Sequence, residues 1–322
     1  MFRNGLMFQA VTLLFLIASF WSPAHGKPSF ASIDSAPNFR FANGRRALKI
    51  PFEMSEGGHV FLRVRVNGSE PLRFGFDSGA EGTIISAKQA EALGLKLSGH
   101  TQATGGGEET VDFALAKGVS FSLPGVKLLY KEVGVVPLDF GAPGEELSGL
   151  IGYDFISRFV VEVNFAERTM NLYNPRNYRY RGSGQSIPIK MIDNNPHVSV
   201  TVVLPGLAPV SGMFVVDSGA DQNLMFNSPY VKAHELLKST QETTEVRAVG
   251  LGGEAKMRLG HATKIQIGRF NIENPSVLFS LAAKGDDASP IGAGYIGGRL
   301  LSQFKTVIFD QTRKRMILVP NN

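Results

Sequence analysis

The sequence predicts an all-β protein of two similar lobes, and three observations carry that prediction. Short alternating or wholly apolar runs rich in Val and Phe recur along the chain, glycine and proline punctuate it throughout, and the second half repeats features of the first in the same order. In the first half the runs fall at residues 59–66, 71–76, 126–136 and 159–165, and in the second at 197–204, 213–216 and 306–309. Each has the period of two, or the short apolar block, expected of a strand. Only two stretches read as helices: Ala87 to Leu93, stopped by Gly94, and Tyr230 to Leu237. The 36 glycines and 17 prolines follow no three-residue period, which suits hairpins and excludes a collagen-like chain, while 43% hydrophobic residues exclude a disordered one.

The repeat is specific. Ile50-Pro51-Phe52-Glu53-Met54 answers to Ile187-Pro188-Ile189-Lys190-Met191. Phe74-Gly75-Phe76-Asp77-Ser78-Gly79-Ala80 answers to Phe214-Val215-Val216-Asp217-Ser218-Gly219-Ala220 at an offset of 140 residues, and the stretch from Ile156 aligns without gaps with that from Leu301 at an offset of 145. The expected organisation is a leader at residues 1–26, a flexible arm or short propeptide at 27–46, one lobe at 47–176, a polar linker at 177–184 and a second lobe at 185–322.

The leader reading rests on Arg3, on an apolar run from Leu6 to Trp21 broken by Gln9, Thr12 and Ser19, and on the small residues before a cut after about Gly26. The run is too short and too interrupted for a stable span, although an uncleaved anchor is the competing interpretation. An exported, periplasmic or secreted protein with no membrane span after cleavage is therefore expected. The net charge of +5 comes from dispersed basic residues. The densest groups, Arg176, Arg179 and Arg181 between tyrosines and Arg313 to Arg315, read as a solvated linker and a hairpin turn, so no nucleic-acid partner is expected.

Cysteine is absent, which excludes disulfides, Cys-ligated zinc, iron–sulfur clusters and a thiol nucleophile. The histidines at 25, 59, 100, 197, 234 and 261 include no pair at metal-ligand spacing and read as surface or strand residues. No metal and no cofactor is expected.

The strongest chemical signal is Asp-Ser-Gly-Ala, present twice and each time directly after an apolar strand. One copy is a common turn. Two copies at equivalent places in a repeat bring Asp77 and Asp217 to a shared axis if the lobes are related by a pseudo-two-fold. Two touching carboxyls hold one proton between them, so one can act as base on a water while the other donates a proton to a carbonyl oxygen. Gly79 and Gly219 allow turns whose N–H groups point at the carboxylates, and Ser78 and Ser218 can hydrogen-bond across the lobe boundary. Neither serine lies in a Gly-x-Ser-x-Gly elbow.

Together with Leu150-Ile151-Gly152 and Tyr295-Ile296-Gly297, these turns resemble the aspartic protease clan, the bilobal pepsins and the retroviral retropepsins, over nearly the whole mature chain. The resemblance implies the acid protease fold, with two β-barrel-like lobes about a cleft. It also implies a catalytic dyad of Asp77 and Asp217, and a peptide or protein substrate lying extended between the lobes. With both half-sites in one chain, a monomer is expected to suffice.

Asp221 and Arg299 resemble the retroviral pattern of an acid paired with an arginine behind the site, and are expected to form an ion pair. The first lobe departs, with Glu81 and Tyr153 at the matching places. Ala80 and Ala220 stand where pepsins often carry a hydroxyl donor, which should raise the dyad's pKa values and shift the optimum to less acid pH than pepsin's. Between Ser98 and Val119 there is no tyrosine for a pepsin-like flap. Instead Gly105, Gly106 and Gly107, and in the second lobe Leu251, Gly252 and Gly253, suggest two glycine-tipped flaps over the substrate. The rival expectation is a catalytically inactive protein of the same fold that binds peptides or cell-envelope polymers.

Overall fold

A computed structural model describes residues 13–14, 37–138, 146–239 and 242–321. The architecture is all-β in two lobes. An eleven-stranded sheet belongs to the second half of the chain, joined at its edge by the two-residue strand Leu13–Leu14, which pairs in parallel with Ala248 and Val249. The rest of the expected leader lies outside the described residues.

The other sheet has fourteen strands, and its first six form a floor shared by both halves, in the order Gln185–Pro188, Arg315–Pro320, Phe304–Asp310, Val160–Asn164, Thr169–Tyr173 and Arg46–Met54. At its centre the repeated segments pair with each other in antiparallel fashion, Val161 with Phe309 and Asn164 with Thr306. Exchanging each residue for its partner 145 positions away returns the same pairs. A pseudo-two-fold axis therefore passes through this ladder.

The alternating runs become strands because their apolar positions face a core continuous from one lobe to the other. Val60–Val66 buries Leu62, Val64 and Val66, Asn195–Val203 buries Val198, Val200 and Val202, and all six belong to the same hydrophobic cluster as Phe76, Val216 and Phe309. The rings of Phe76 and Phe309 meet edge to face at 5.9 Å, which ties the first Asp-bearing strand to the floor.

In each lobe the strand of the Ile-Gly element threads beside the Asp-bearing strand. Gly149–Ile151 runs parallel to Leu72–Phe76 and antiparallel to Ile84–Ser86, and Gly294–Gly297 takes the same position against Val210–Asp217 and Leu224–Phe226. Both lead directly into one-turn helices, Tyr153–Ile156 and Gly298–Leu301.

Three expectations are modified. The helix placed at 230–237 begins earlier, at Ser228–Ala233, because Pro229 is acceptable in a first turn, and it ends before Glu235, whose φ is +51°. Leu236 then enters the core from a separate 3₁₀ turn, Leu236–Lys238. The arm at 27–46 carries a strand, Asn38–Phe41, that pairs with Val126 to Leu129 and places Phe41 in the core and Phe39 against Phe159 at 4.7 Å. The arginine-rich linker is anchored rather than solvated: Tyr178 is buried and its hydroxyl donates to Glu162 at 2.7 Å, and Arg313 donates to the carbonyls of Pro175 and Tyr178 while pairing with buried Asp310.

Since Phe309 is fully buried between the floor and the Asp77 strand, Phe309→Ala should destabilise the protein by about 3–5 kcal/mol, read as a lower denaturation midpoint in a chemical unfolding titration. An unchanged midpoint would show that the floor is not part of the cooperative core.

Candidate active site

The two Asp-Ser-Gly-Ala turns meet on the pseudo-two-fold axis. Four hydrogen bonds cross between them in symmetric pairs. The Ser78 hydroxyl donates to the Val216 carbonyl at 2.7 Å and accepts the Ser218 N–H at 3.0 Å. Reciprocally, the Ser218 hydroxyl donates to the Phe76 carbonyl at 2.9 Å and accepts the Ser78 N–H at 3.0 Å. Each hydroxyl is thus both donor and acceptor in a water-free place, so none of these buried polar groups is left unsatisfied.

This exchange sets Asp77 and Asp217 side by side, each with no exposed surface. Asp77 Oδ1 accepts the N–H groups of Gly79 and Ala80 at 2.8 and 3.0 Å, and Asp217 Oδ1 accepts that of Gly219 at 2.9 Å. Each carboxyl lies against the other turn's glycine: a Cβ at Gly79 would stand 2.7 Å from Cγ of Asp217, and one at Gly219 would collide with Cγ of Asp77. The close approach of carboxyl to backbone is the reason both positions are glycine.

The Oδ2 atoms accept no N–H among the described residues, and the two carboxyls lie close enough to share a proton. Burial pushes the Asp77 carboxyl up to about 7, against the opposing effects of the Asp217 bond and the Gly79 and Ala80 N–H groups. Asp217 is raised as well, first by burial and then by the Asp77 charge, so the pair holds one proton between its two members.

The residues behind the turns differ between lobes. Arg299 Nε donates to the main-chain carbonyl of Asp221 at 3.0 Å, a bond that braces the loop backbone. Pairing of Ile151 with Phe76 and of Ile296 with Val216 makes Asp154, not Tyr153, the counterpart of Arg299. Asp154 is buried and accepts from the Thr83 hydroxyl at 2.5 Å and the Thr83 N–H at 3.0 Å. Burial raises its carboxyl to about 6 in spite of these bonds.

Glycine tips from both lobes close the roof. Gly107 and Gly252 form a parallel bridge, the Gly252 N–H donates to Gly106 at 2.7 Å, and the Glu109 N–H donates to Gly252 at 2.7 Å. A Cβ at Gly252 would lie 2.6 Å from the Glu109 carbonyl, so the tips approach backbone to backbone. Leu251 inserts across the boundary into a first-lobe cluster of Phe61, Ile84, Phe113 and Leu150, while Gly105 and Gly253 flank the contact.

Three features had no legible signal. His59, read as an ordinary strand or surface histidine, is buried; burial, then the Arg299 and Arg73 charges, lower it to about 4 against a hydrogen bond with the Gly219 backbone. The adjacent Gly57 and Gly58 press on Asp221 and Gly298 of the other lobe. Asp286 and Asp287, in a Gly/Ser-flanked turn, are also buried. Hairpin turns and paired acids ordinarily face water, and here packing against elements distant in the sequence covers them.

A model of the aspartyl protease family matches the chain twice, over residues 62–155 and 199–297. The chain belongs to the aspartyl protease family. Each match spans one Asp-Ser-Gly-Ala turn and the Ile-Gly element beside it. No curated protein matches the chain.

In this aspartyl protease family member, Ser78→Ala should strand the Ser218 N–H and the Val216 carbonyl in the interior. Thermal unfolding should show a loss of about 1–3 kcal/mol, with Ser218→Ala costing as much. Values near zero for both would mean that the exchange does not hold the lobes. The sign for the dyad follows from its raised pKa values. The folded state binds more protons than the unfolded one above the ordinary carboxylate pKa, so this contribution to stability is present at low pH and declines as pH rises toward about 7. Unfolding measured across that window should therefore lose this decline, relative to wild type, in the Asp77→Asn and Asp217→Asn double variant.

Proposed function

We propose that the protein is an exported aspartic endopeptidase that cleaves an extended peptide between its lobes with a water activated by Asp77 and Asp217. The observation that carries this reading is a pair of carboxyls close enough to share a proton, raised by burial, beneath two interlocked glycine flaps. Such a pair keeps one proton where an isolated aspartate would have lost it.

The proposed chemistry needs only these two side chains. Asp77, ionised and held by the Gly79 and Ala80 N–H groups, takes a proton from water as the oxygen attacks the scissile carbonyl carbon. Asp217 gives its proton to the carbonyl oxygen, forming a neutral gem-diol. Asp77 then delivers its proton to the amide nitrogen as the C–N bond breaks, and the diol hydroxyl returns a proton to Asp217. The flap tips present main-chain groups, which fit an extended substrate without regard to its side chains. The tips must part for entry, because both aspartates are fully covered.

Export rests on the Arg3 and Leu6 to Trp21 pattern. Among the described residues no helix is long and apolar enough to cross a membrane. Amino-terminal sequencing of the fractionated protein should start near Lys27; a chain retaining Met1 in the membrane fraction would replace export by anchoring.

Incubated with an unfolded protein between about pH 3 and pH 8, the wild type should release peptides in a pepstatin-sensitive way, and Asp77→Asn or Asp217→Asn should lower kcat/KM by a factor on the order of 10³ or more. A variant that retained wild-type cleavage would exclude the dyad mechanism, and a wild type that bound peptides without cutting them would establish the inactive rival. Because burial raises both carboxyls, kcat/KM should peak above the ordinary carboxylate range. It should fall toward acid as the pair gains a second proton, and toward alkali as it loses the shared one. A maximum at strongly acid pH would contradict that environment.

A further inference from the structure

Two apolar clusters flank the Asp turns, and they differ in kind. The first-lobe cluster is made of large side chains, Phe61, Ile84, Phe113, Leu138, Leu147 and Leu150, together with the intruding Leu251. Its second-lobe counterpart, around Val215, Met225, Met257, Leu278 and Tyr295, holds four alanines, Ala220, Ala248, Ala255 and Ala282, with Ala288 packed against it, where the first-lobe cluster holds two, Ala80 and Ala103. The alanine-bearing wall also carries an acid.

That acid is Asp287, 2% exposed. Its position is fixed from two sides. It accepts a hydrogen bond from the Gly107 backbone at the flap tip, and its charge acts on the Asp217 carboxyl below. The turn before it touches the same flap: a Cβ at Gly285 would overlap the Gly107 carbonyl, and the Ala283 N–H donates to Glu108 at 2.7 Å. Asp287 thus stands between roof and dyad on the alanine-bearing wall.

Its second oxygen, Oδ1, is buried with no hydrogen-bond partner among the described residues. Burial pushes the carboxyl up to about 7, the Gly107 N–H opposes this, and the charge of Glu108 adds to it. Lys284, three residues before Asp287, is exposed to solvent. A buried acid with an unused acceptor and an acidic neighbour is costly unless a cation reaches it.

On the reading of the protein as a peptidase, we propose that Asp287 is a specificity residue that receives a lysine or arginine side chain of the substrate on one side of the scissile bond, while the first-lobe wall takes a large apolar residue on the other. The ammonium or guanidinium donates to Oδ1 and its methylene stem lies along the alanines. The two walls are related by the axis through the dyad, so residues flanking the cleaved bond meet opposite walls.

The test compares two peptides that differ at one flanking position, lysine against the nearly isosteric norleucine, each with leucine at the other, in both orders. In one order the wild type should favour lysine in kcat/KM by at least about tenfold. Asp287→Asn should bring that ratio to about one, and Asp287→Glu should keep part of the preference. Equal ratios in wild type and Asp287→Asn, or a preference for norleucine in both orders, would overturn the assignment. The same peptides titrated against the Asp77→Asn variant separate this inference from the peptidase reading. Tighter binding of the lysine peptide that is abolished by adding Asp287→Asn upholds the pocket even if the wild type cuts nothing; equal binding overturns it even if the wild type is an efficient peptidase.

Discussion

Two carboxyls held within a hydrogen bond of each other in a place with no exposed surface are the constraint around which this molecule is organised. Removing one ionised carboxylate from water costs several kcal/mol, and a second charge beside it would cost more. The fold meets that cost with a shared proton, three N–H groups from the turns, and the reciprocal serine exchange that fixes the separation. Every polar atom in the exchange has its partner on the other lobe. The lobes are therefore held in register by the same bonds that assemble the site.

The symmetry is close at the axis and relaxes away from it. At the dyad and the flap bridge equivalent residues face one another or exchange bonds, and in the floor ladder each pair maps onto another pair of the same ladder. One layer back, Asp154 with Thr83 supports the first turn, whereas Arg299 on the Asp221 carbonyl supports the second. His59 occupies a cross-lobe place beside Gly219, while the alignment of the Val60 and Pro196 strands puts Asn195 at the equivalent position. Such differences give the paired aspartates unequal surroundings, and the charge of Asp287 acts on Asp217.

The roof follows from backbone chemistry. Glycines at the flap tips permit main chain to meet main chain, so the two hairpins close on each other with N–H···O bonds rather than with interlocking side chains. Contacts of that kind are few and renewable, which suits the parting and closing that the proposed function requires of them. Leu251 is the exception, anchoring one tip in the opposite lobe.

Read alone, the amino-acid sequence determined the all-β class, the duplication and the meeting of Asp77 with Asp217, because strand periodicity and a motif at equal places in a repeat are local and countable. It also located the serines, the turn glycines and both flap tips. It mistook Asn38–Phe41 for a flexible arm and Tyr178 for a solvated linker residue, since those assignments depend on which strand lies alongside, whereas setting Tyr153 rather than Asp154 against Arg299 was a one-residue slip that the aligned Ile-Gly elements already correct. Tertiary structure alone decided that Arg299 reaches a carbonyl, that His59 is neutral and buried, and that Asp287 is hidden beneath the first flap. His59 and Asp287 meet groups of the opposite lobe, Arg299 and Gly219 for the one and Gly107 for the other, while Arg299 reaches a carbonyl 78 residues away in its own lobe, and no local pattern records what will cover a turn once the chain has folded.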